Sequence, residues 1–213
     1  ALPFEVFKTL VDCGIDATEG GPISYCLPYS RVDLNDAVNN WRESCQFFSK
    51  ITAHEIAHIE SFSGCMLGQL CPPSILIALN ILECLFFQQC GIKSVSLSYT
   101  QGTHASQDIT AIKVLREMAC KYLGMLDWHV VLYSYMGLFP QTVQGCYQLI
   151  VDSARIATVS CCERLIVKTP AESLRIPSVE ENVACLEMSH DASELYRKKS
   201  SEAFDEKEYI SIK

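Results

Sequence analysis

Apolar residues recur along the chain in two rhythms, one helical with a period near 3.6 and one extended with a period of two. Ile23 to Tyr29 reads as a short strand. From Asp33 a helix is predicted, with Leu34, Ala37, Val38, Trp41, Cys45 and Phe48 at helical spacing. A strand follows near Ile56 to Phe62. Pro72-Pro73-Ser74 opens a helix that runs to Cys90, where Gly91 stops it. Lys93 to Thr100 alternates as a strand, with Val95, Leu97 and Tyr99 on one face. Ser106 to Tyr122 is helical. Trp128 to Met136 is a strand rich in β-branched and aromatic residues. Gln141 to about Ser160 is a helix. Arg164 to Lys168 is an apolar strand with a basic tip. Ser178-x-x-Glu181, preceded by Pro177, is a capping box opening a last helix.

These elements make five βα units at a spacing of roughly 35 residues, the size of a parallel βα repeat. Parallel strands close a barrel or are covered on both faces. Two classes fit: a TIM-type (β/α)8 barrel and an open doubly wound sheet. No Gly-x-Gly-x-x-Gly or P-loop follows the first strand, which weakens the nucleotide-binding sheet. Five units are too few for a closed eight-fold barrel, so the barrel reading makes this a partial barrel with further units elsewhere. An N-terminal alanine hints at a fragment. The partial barrel is expected to span residues 1–199, with a charged tail over 200–213.

Composition adds limits. With 49% hydrophobic and 20% charged residues the chain is ordinary globular protein. A net charge of −8 does not favour phosphate backbones, so nucleic acid is excluded as a partner. The longest apolar run, Ile75 to Phe87, is interrupted by Asn80 and Glu83 and is too short and polar to span a bilayer. No signal segment opens the chain, and a cytoplasmic location is expected. The twelve cysteines show no C-x-x-C spacing. Cys26, Cys84, Cys120, Cys146 and Cys185 lie in apolar runs and read as buried, reduced thiols.

His54-Glu55-Ile56-Ala57-His58 matches H-E-x-x-H, which on a helix would direct two imidazoles at zinc with Glu55 as general base. A zinc hydrolase would need a third ligand, and Glu83 is the one carboxylate on a later helix to consider. No third His follows at metzincin spacing, and the segment begins a strand in the βα rhythm. No metal site is assigned.

Five collinear motifs carry a family resemblance. Thr18-Glu-Gly-Gly-Pro-Ile-Ser-Tyr-Cys-Leu-Pro-Tyr29 resembles the S-E-G-G-x-I-S-Y-x-x-P-Y of the glutamate mutase (methylaspartate mutase) barrel subunit. Leu70-Cys-Pro-Pro-Ser74, Gln107-Asp108-Ile109, Met136-Gly-Leu-Phe-Pro-Gln141 and Val167-Lys-Thr-Pro-Ala-Glu172 with Ile176-Pro177 follow in the family's order. In βα barrels the working residues lie at the C-terminal ends of strands. Tyr25, Tyr29, Phe139, Lys168 and Glu172 fall there. Placed four apart in a strand, Tyr25 and Tyr29 would share one face. Two phenols and the Glu19 carboxylate suit an α-amino acid.

The resemblance implies an isomerase that rearranges the carbon skeleton of L-glutamate to (2S,3S)-3-methylaspartate by radical chemistry, with adenosylcobalamin as cofactor, in anaerobic glutamate degradation. It implies that Glu19 binds the substrate amino group and assists proton movement, and that Tyr25 and Tyr29 orient the carboxylates. It implies that Lys168 and Glu172 contact the adenosyl ribose, and that Pro28, Phe139 and Ile176 line the cobalamin side. The family's carboxylate-binding arginines lie before the first motif. No D-x-H-x-x-G occurs, so a separate small cobalamin-binding subunit is the expected partner, in a heterotetramer. Tyr133-Ser134-Tyr135 replaces the family's H-Q-W, and Leu138 replaces a glycine. The competing readings are the zinc hydrolase and a catalytically inactive barrel remnant.

Overall fold

The computed structural model describes residues 3–26, 30–51, 56–66, 70–124, 126–172, 174–198 and 212. Helices and strands alternate throughout. Helix α1 (Phe4–Asp12) precedes β1 (Ala17–Gly20). Then come α2 (Leu34–Ile51), β2 (His58–Ser61), α3 (Pro73–Gln89), β3 (Ser94–Thr100), α4 (Ala105–Tyr122), β4 (Asp127–Tyr133), α5 (Val143–Val159), β5 (Arg164–Ile166) and α6 (Val179–Lys198). The fold is α/β: one five-stranded parallel sheet in the order β1-β2-β3-β4-β5, each strand followed by a helix. That order lacks the reversal at which a doubly wound sheet switches direction.

The chain divides into two compact units. The first comprises Ala1–Met66, Ile75–Ser98 and Arg116–His129. In it, β1 and β2 pair Glu19 with Glu60, and β2 and β3 pair Glu60 with Ser96. Ile59, Val95 and Leu97 are buried, as are Trp41, Phe48, Ile81 and Phe87 from α2 and α3. Helix α1, which the apolar rhythm does not announce, packs on α2 through two rings, Phe4, whose centroid is 5.1 Å from that of Phe47, and Phe7. The buried Phe7 ring meets Trp41 edge-on at 5.7 Å and Phe48 at 5.2 Å.

The second unit comprises Leu67–Ser74, Tyr99–Leu115 and Val130–Lys213. There β4 and β5 pair Leu132 with Leu165. Val130, Val131 and Leu132 are buried, with Ile112 and Leu115 of α4 and Ile150, Ala154 and Ile156 of α5. Thr142 caps α5 by accepting from the Gly145 amide at 3.1 Å. The capping box of α6 is realised in both directions. The Ser178 amide donates to Glu181 Oε2 at 2.8 Å, and the Glu181 amide to Ser178 Oγ at 3.2 Å.

Four expectations are corrected. No strand forms over residues 23–26, the described part of the expected Ile23–Tyr29 strand. Gly20 takes a positive φ of 130° and ends β1, and residues 22–26 form a turn in which the Tyr25 amide donates to the Gly21 carbonyl at 3.1 Å. Strand β3 is buried on both faces, its serines included, not on the Val95 face alone. Strand β5 stops at Ile166 and is half-exposed, as an edge strand can be. Cys120 is exposed on α4, whereas Cys26, Cys84, Cys146 and Cys185 are buried thiols. No described helix is long and apolar enough to cross a membrane.

Candidate functional site

The chemistry of the first unit gathers at the end of β1. Glu19 is the third residue of that strand and is solvent-exposed. Gly20 and Gly21 then turn the chain, and the turn returns Tyr25 to the strand it left. Its hydroxyl donates to Glu19 Oε1 at 2.6 Å, the short separation of a charge-assisted bond. The Tyr25 ring leans edge-on against Phe62 at 5.5 Å. A phenol and a carboxylate are thus held side by side, facing water, at a strand's C-terminal end. Pro28 and Tyr29 lie outside the described residues.

Beneath this turn lies Glu83 of α3, which the sequence offered only as a candidate zinc ligand. It is 1% exposed. Its Oε1 accepts from the amides of Ile23 and Ser24, each at 2.9 Å. Its Oε2 accepts from the hydroxyls of Ser24 at 3.1 Å, Ser61 at 2.8 Å and Ser63 at 2.7 Å. Burial pushes the Glu83 carboxyl above the ordinary carboxylate range, and the bonds from Ser24, Ser63, Ser61 and Ile23 draw it part of the way back. One turn earlier, Asn80 donates to the Ser98 carbonyl at 2.5 Å. The interruption of an otherwise apolar run by Asn80 and Glu83 was the signal. A charge there must be paired or hydrogen-bonded.

The helical zinc motif is not met. His54 and Glu55 lie outside the described residues, and His58 stands in β2 rather than on a helix. Its Nδ1 is 2.8 Å from Ser94 Oγ and its Nε2 2.6 Å from Ser96 Oγ, and its ring stacks on His129 at 5.2 Å. Glu83 is committed to its five donors. Among the described residues no cluster of three His, Cys, Asp or Glu side chains is arranged to hold a metal ion.

In the second unit, Lys168 and Glu172 follow β5. Lys168 Nζ donates to Glu172 Oε1 at 2.8 Å, with the carboxylate side chain 40% exposed. Phe139 is half-buried in the β4–α5 connection, and Ile176 is 89% exposed. Asp108 of the Gln107-Asp108-Ile109 motif is buried, and its Oδ2 accepts from the Gly102 amide at 2.9 Å, tethering the β3–α4 turn. The Tyr133-Ser134-Tyr135 stretch is tied in. The Ser134 amide donates to the Ile166 carbonyl at 3.0 Å, and the Tyr135 amide to Gln101 Oε1 at 3.0 Å. A cleft of about 310 Å³ opens beside it, lined by Gln101, Tyr135, Leu138 and Pro140 among others.

These motifs belong to a sequence family. The family described as "Methylaspartate mutase E chain" matches residues 2–211, nearly the whole chain. The chain belongs to the methylaspartate mutase E chain family. Curated relatives agree. A glutamate mutase epsilon subunit of Escherichia coli O157:H7 is 32% identical over 182 residues, 83% of this chain and 38% of the relative. The same-named subunit of Treponema denticola is 33% identical over 178 residues, covering 79% and 36%. That of Halobacterium salinarum is 31% identical over 175 residues, covering 81% and 37%. The chain spans less than two fifths of the length of these relatives.

Proposed function

We propose that this chain supplies part of the substrate and cofactor contacts of an adenosylcobalamin-dependent glutamate mutase, which converts L-glutamate to (2S,3S)-3-methylaspartate. The observation that carries this reading is the Tyr25–Glu19 pair at the end of β1. A carboxylate is the natural partner of a substrate ammonium group, and a phenol can donate to a substrate carboxylate. Glu19 holds the amino group and moves a proton at its carboxylate oxygen. Tyr25 and Tyr29 orient the substrate carboxylates.

The residues after β5 fit the adenosyl end of the cofactor. Glu172 accepts from ribose hydroxyls, and Lys168, bonded to it at 2.8 Å, contacts the same ribose. Pro28, Phe139 and Ile176 give an apolar lining to the cobalamin side, and the exposure of Ile176 and of Leu138 at 93% suits surfaces that something apolar covers. When bound, the cofactor supplies the radical chemistry that the side chains lack. The side chains bind, orient and exclude water. The parallel sheet is read as the wall of a TIM-type barrel, with the small cobalamin-binding subunit docked over its strand ends in a heterotetramer. A cytoplasmic setting suits reduced thiols.

The test is reconstitution. The full-length subunit is mixed with the cobalamin-binding small subunit and adenosylcobalamin, and L-glutamate is added without oxygen. Methylaspartate formation supports the reading. Its absence in an assembly shown to be intact refutes it.

A further inference from the structure

Glu83 has no place in the motifs quoted above and none in the mechanism, yet its carboxylate accepts five hydrogen bonds beneath the turn that carries Tyr25. Three of its five donors come from the turn after β1: the amides of Ile23 and Ser24 and the Ser24 hydroxyl. The other two, Ser61 and Ser63, come from the end of β2 and the residues after it. One carboxylate on α3 therefore ties two strand ends together. The turn needs such a tie. It begins with Gly20 and Gly21, the residues with the most backbone freedom to lose. The amides of Ile23 and Ser24 are not used in the strand ladder. Gly21 has no room for a side chain, because a Cβ there would fall on the Glu83 carboxylate. The exposed Tyr25–Glu19 bond is small beside the ordering of the six residues Gly21–Cys26, each of which costs about 1–2 kcal/mol.

We propose that Glu83 is a positioning residue for the substrate side of the site: its carboxylate pins the Gly21–Cys26 turn so that Tyr25 meets Glu19. This rests on the reading of Glu19 and Tyr25 as substrate contacts, but the pinning can be measured apart from it. A glutamine can replace the tie. Its carbonyl oxygen accepts from the two amides, and its amide group donates to serine hydroxyls that rotate to receive it. Alanine cannot, and aspartate draws the carboxylate back by one methylene.

The experiment labels the full chain with 3-fluorotyrosine and follows the ¹⁹F resonance of Tyr25, assigned by its loss in Tyr25→Phe. Circular dichroism checks that each variant is folded. In Glu83→Gln the resonance stays at its wild-type position. In Glu83→Ala it moves to that of the urea-unfolded chain, while Tyr147 on α5 stays in place. Glu83→Asp, which keeps the charge, gives a smaller move in the same direction and decides the matter where the alanine variant does not fold. A Tyr25 resonance unmoved in a folded Glu83→Ala or Glu83→Asp chain overturns the proposal. So does a shift shared by all the tyrosines, which would mark Glu83 as general packing. L-Glutamate added to the full-length subunit assembled with its partner and cofactor forms the second arm. A Tyr25 signal that follows the Glu83 variants but ignores L-glutamate leaves the pinning intact and removes the substrate role.

Discussion

The Tyr25 hydroxyl and Glu19 Oε1 lie 2.6 Å apart, although a turn containing two glycines and a proline separates them in the chain. The phenol is brought back by the fold of the turn, not by strand alternation. Removing either partner should leave the rest of the unit intact. In the reconstituted mutase, Glu19→Gln should lower kcat by about 10²–10⁴-fold, the span of a lost general acid–base group. Tyr25→Phe should act mainly on KM for L-glutamate. Steady-state kinetics on both variants would check the division. A Glu19→Gln enzyme with normal kcat would exclude proton transfer at that carboxylate.

Gly21→Ala should be far more harmful than a surface alanine. The added methyl meets the Glu83 carboxylate, which its five donors hold in place. Overpacking of this kind costs about 1–3 kcal/mol, so the urea midpoint should fall by that equivalent. Gly14→Ala has open space around it and a φ of 70°. It should show only the smaller strain of the left-handed backbone.

Stability should fall as pH rises above the ordinary carboxylate range, in part through Glu83. Its folded-state carboxyl titrates above the ordinary value of 4.5. The stability tied to its proton is therefore fully present below that value and is lost as pH rises through the folded one. Glu83→Gln removes this dependence. Urea unfolding of both chains between pH 4.5 and 8 would show a flatter profile for the variant; equal slopes would contradict the assignment.

Glu181 should behave in the opposite sense. Arg175 and the Ser178 amide hold its carboxyl down to about 2. Its contribution is present above the ordinary carboxylate range and disappears as pH falls toward 2. In Arg175→Ala the Glu181 titration, followed by carboxyl ¹³C NMR, should move up toward the ordinary value. An unmoved titration would mean that the capping amide alone sets it.

Phe7→Ala should cost about 3–5 kcal/mol, as for other buried aromatics, because this ring is the buried one that packs α1 on Trp41 and Phe48. Thermal unfolding would measure it.

Periodicity made most of the fold legible. Helices α2 to α6 and strands β2 to β5 stand within a few residues of where the apolar rhythm puts them, and the Ser178–Glu181 box is literal. What escaped was set by contacts distant in sequence. Thr18-Glu19-Gly20 has no apolar alternation and is a strand only because it pairs with β2. The Ile23–Tyr29 segment looks extended, but the amides of Ile23 and Ser24 go to a carboxylate about 60 residues away. The role of Glu83 could be suspected from its isolation in an apolar helix, but the serines that satisfy it carry no pattern of their own. The candidate residues themselves were legible through motif resemblance, since Glu19 and Tyr25 or Lys168 and Glu172 have no distinctive spacing in isolation.

The most direct measurement is a crystal structure of the full-length subunit with its cobalamin-binding partner, adenosylcobalamin and L-glutamate. The substrate ammonium group should lie within hydrogen-bond distance of Glu19, with a carboxylate on Tyr25 and the adenosyl ribose on Lys168 and Glu172. Glutamate bound away from Glu19 and Tyr25, or the ribose away from Lys168 and Glu172, would contradict the account.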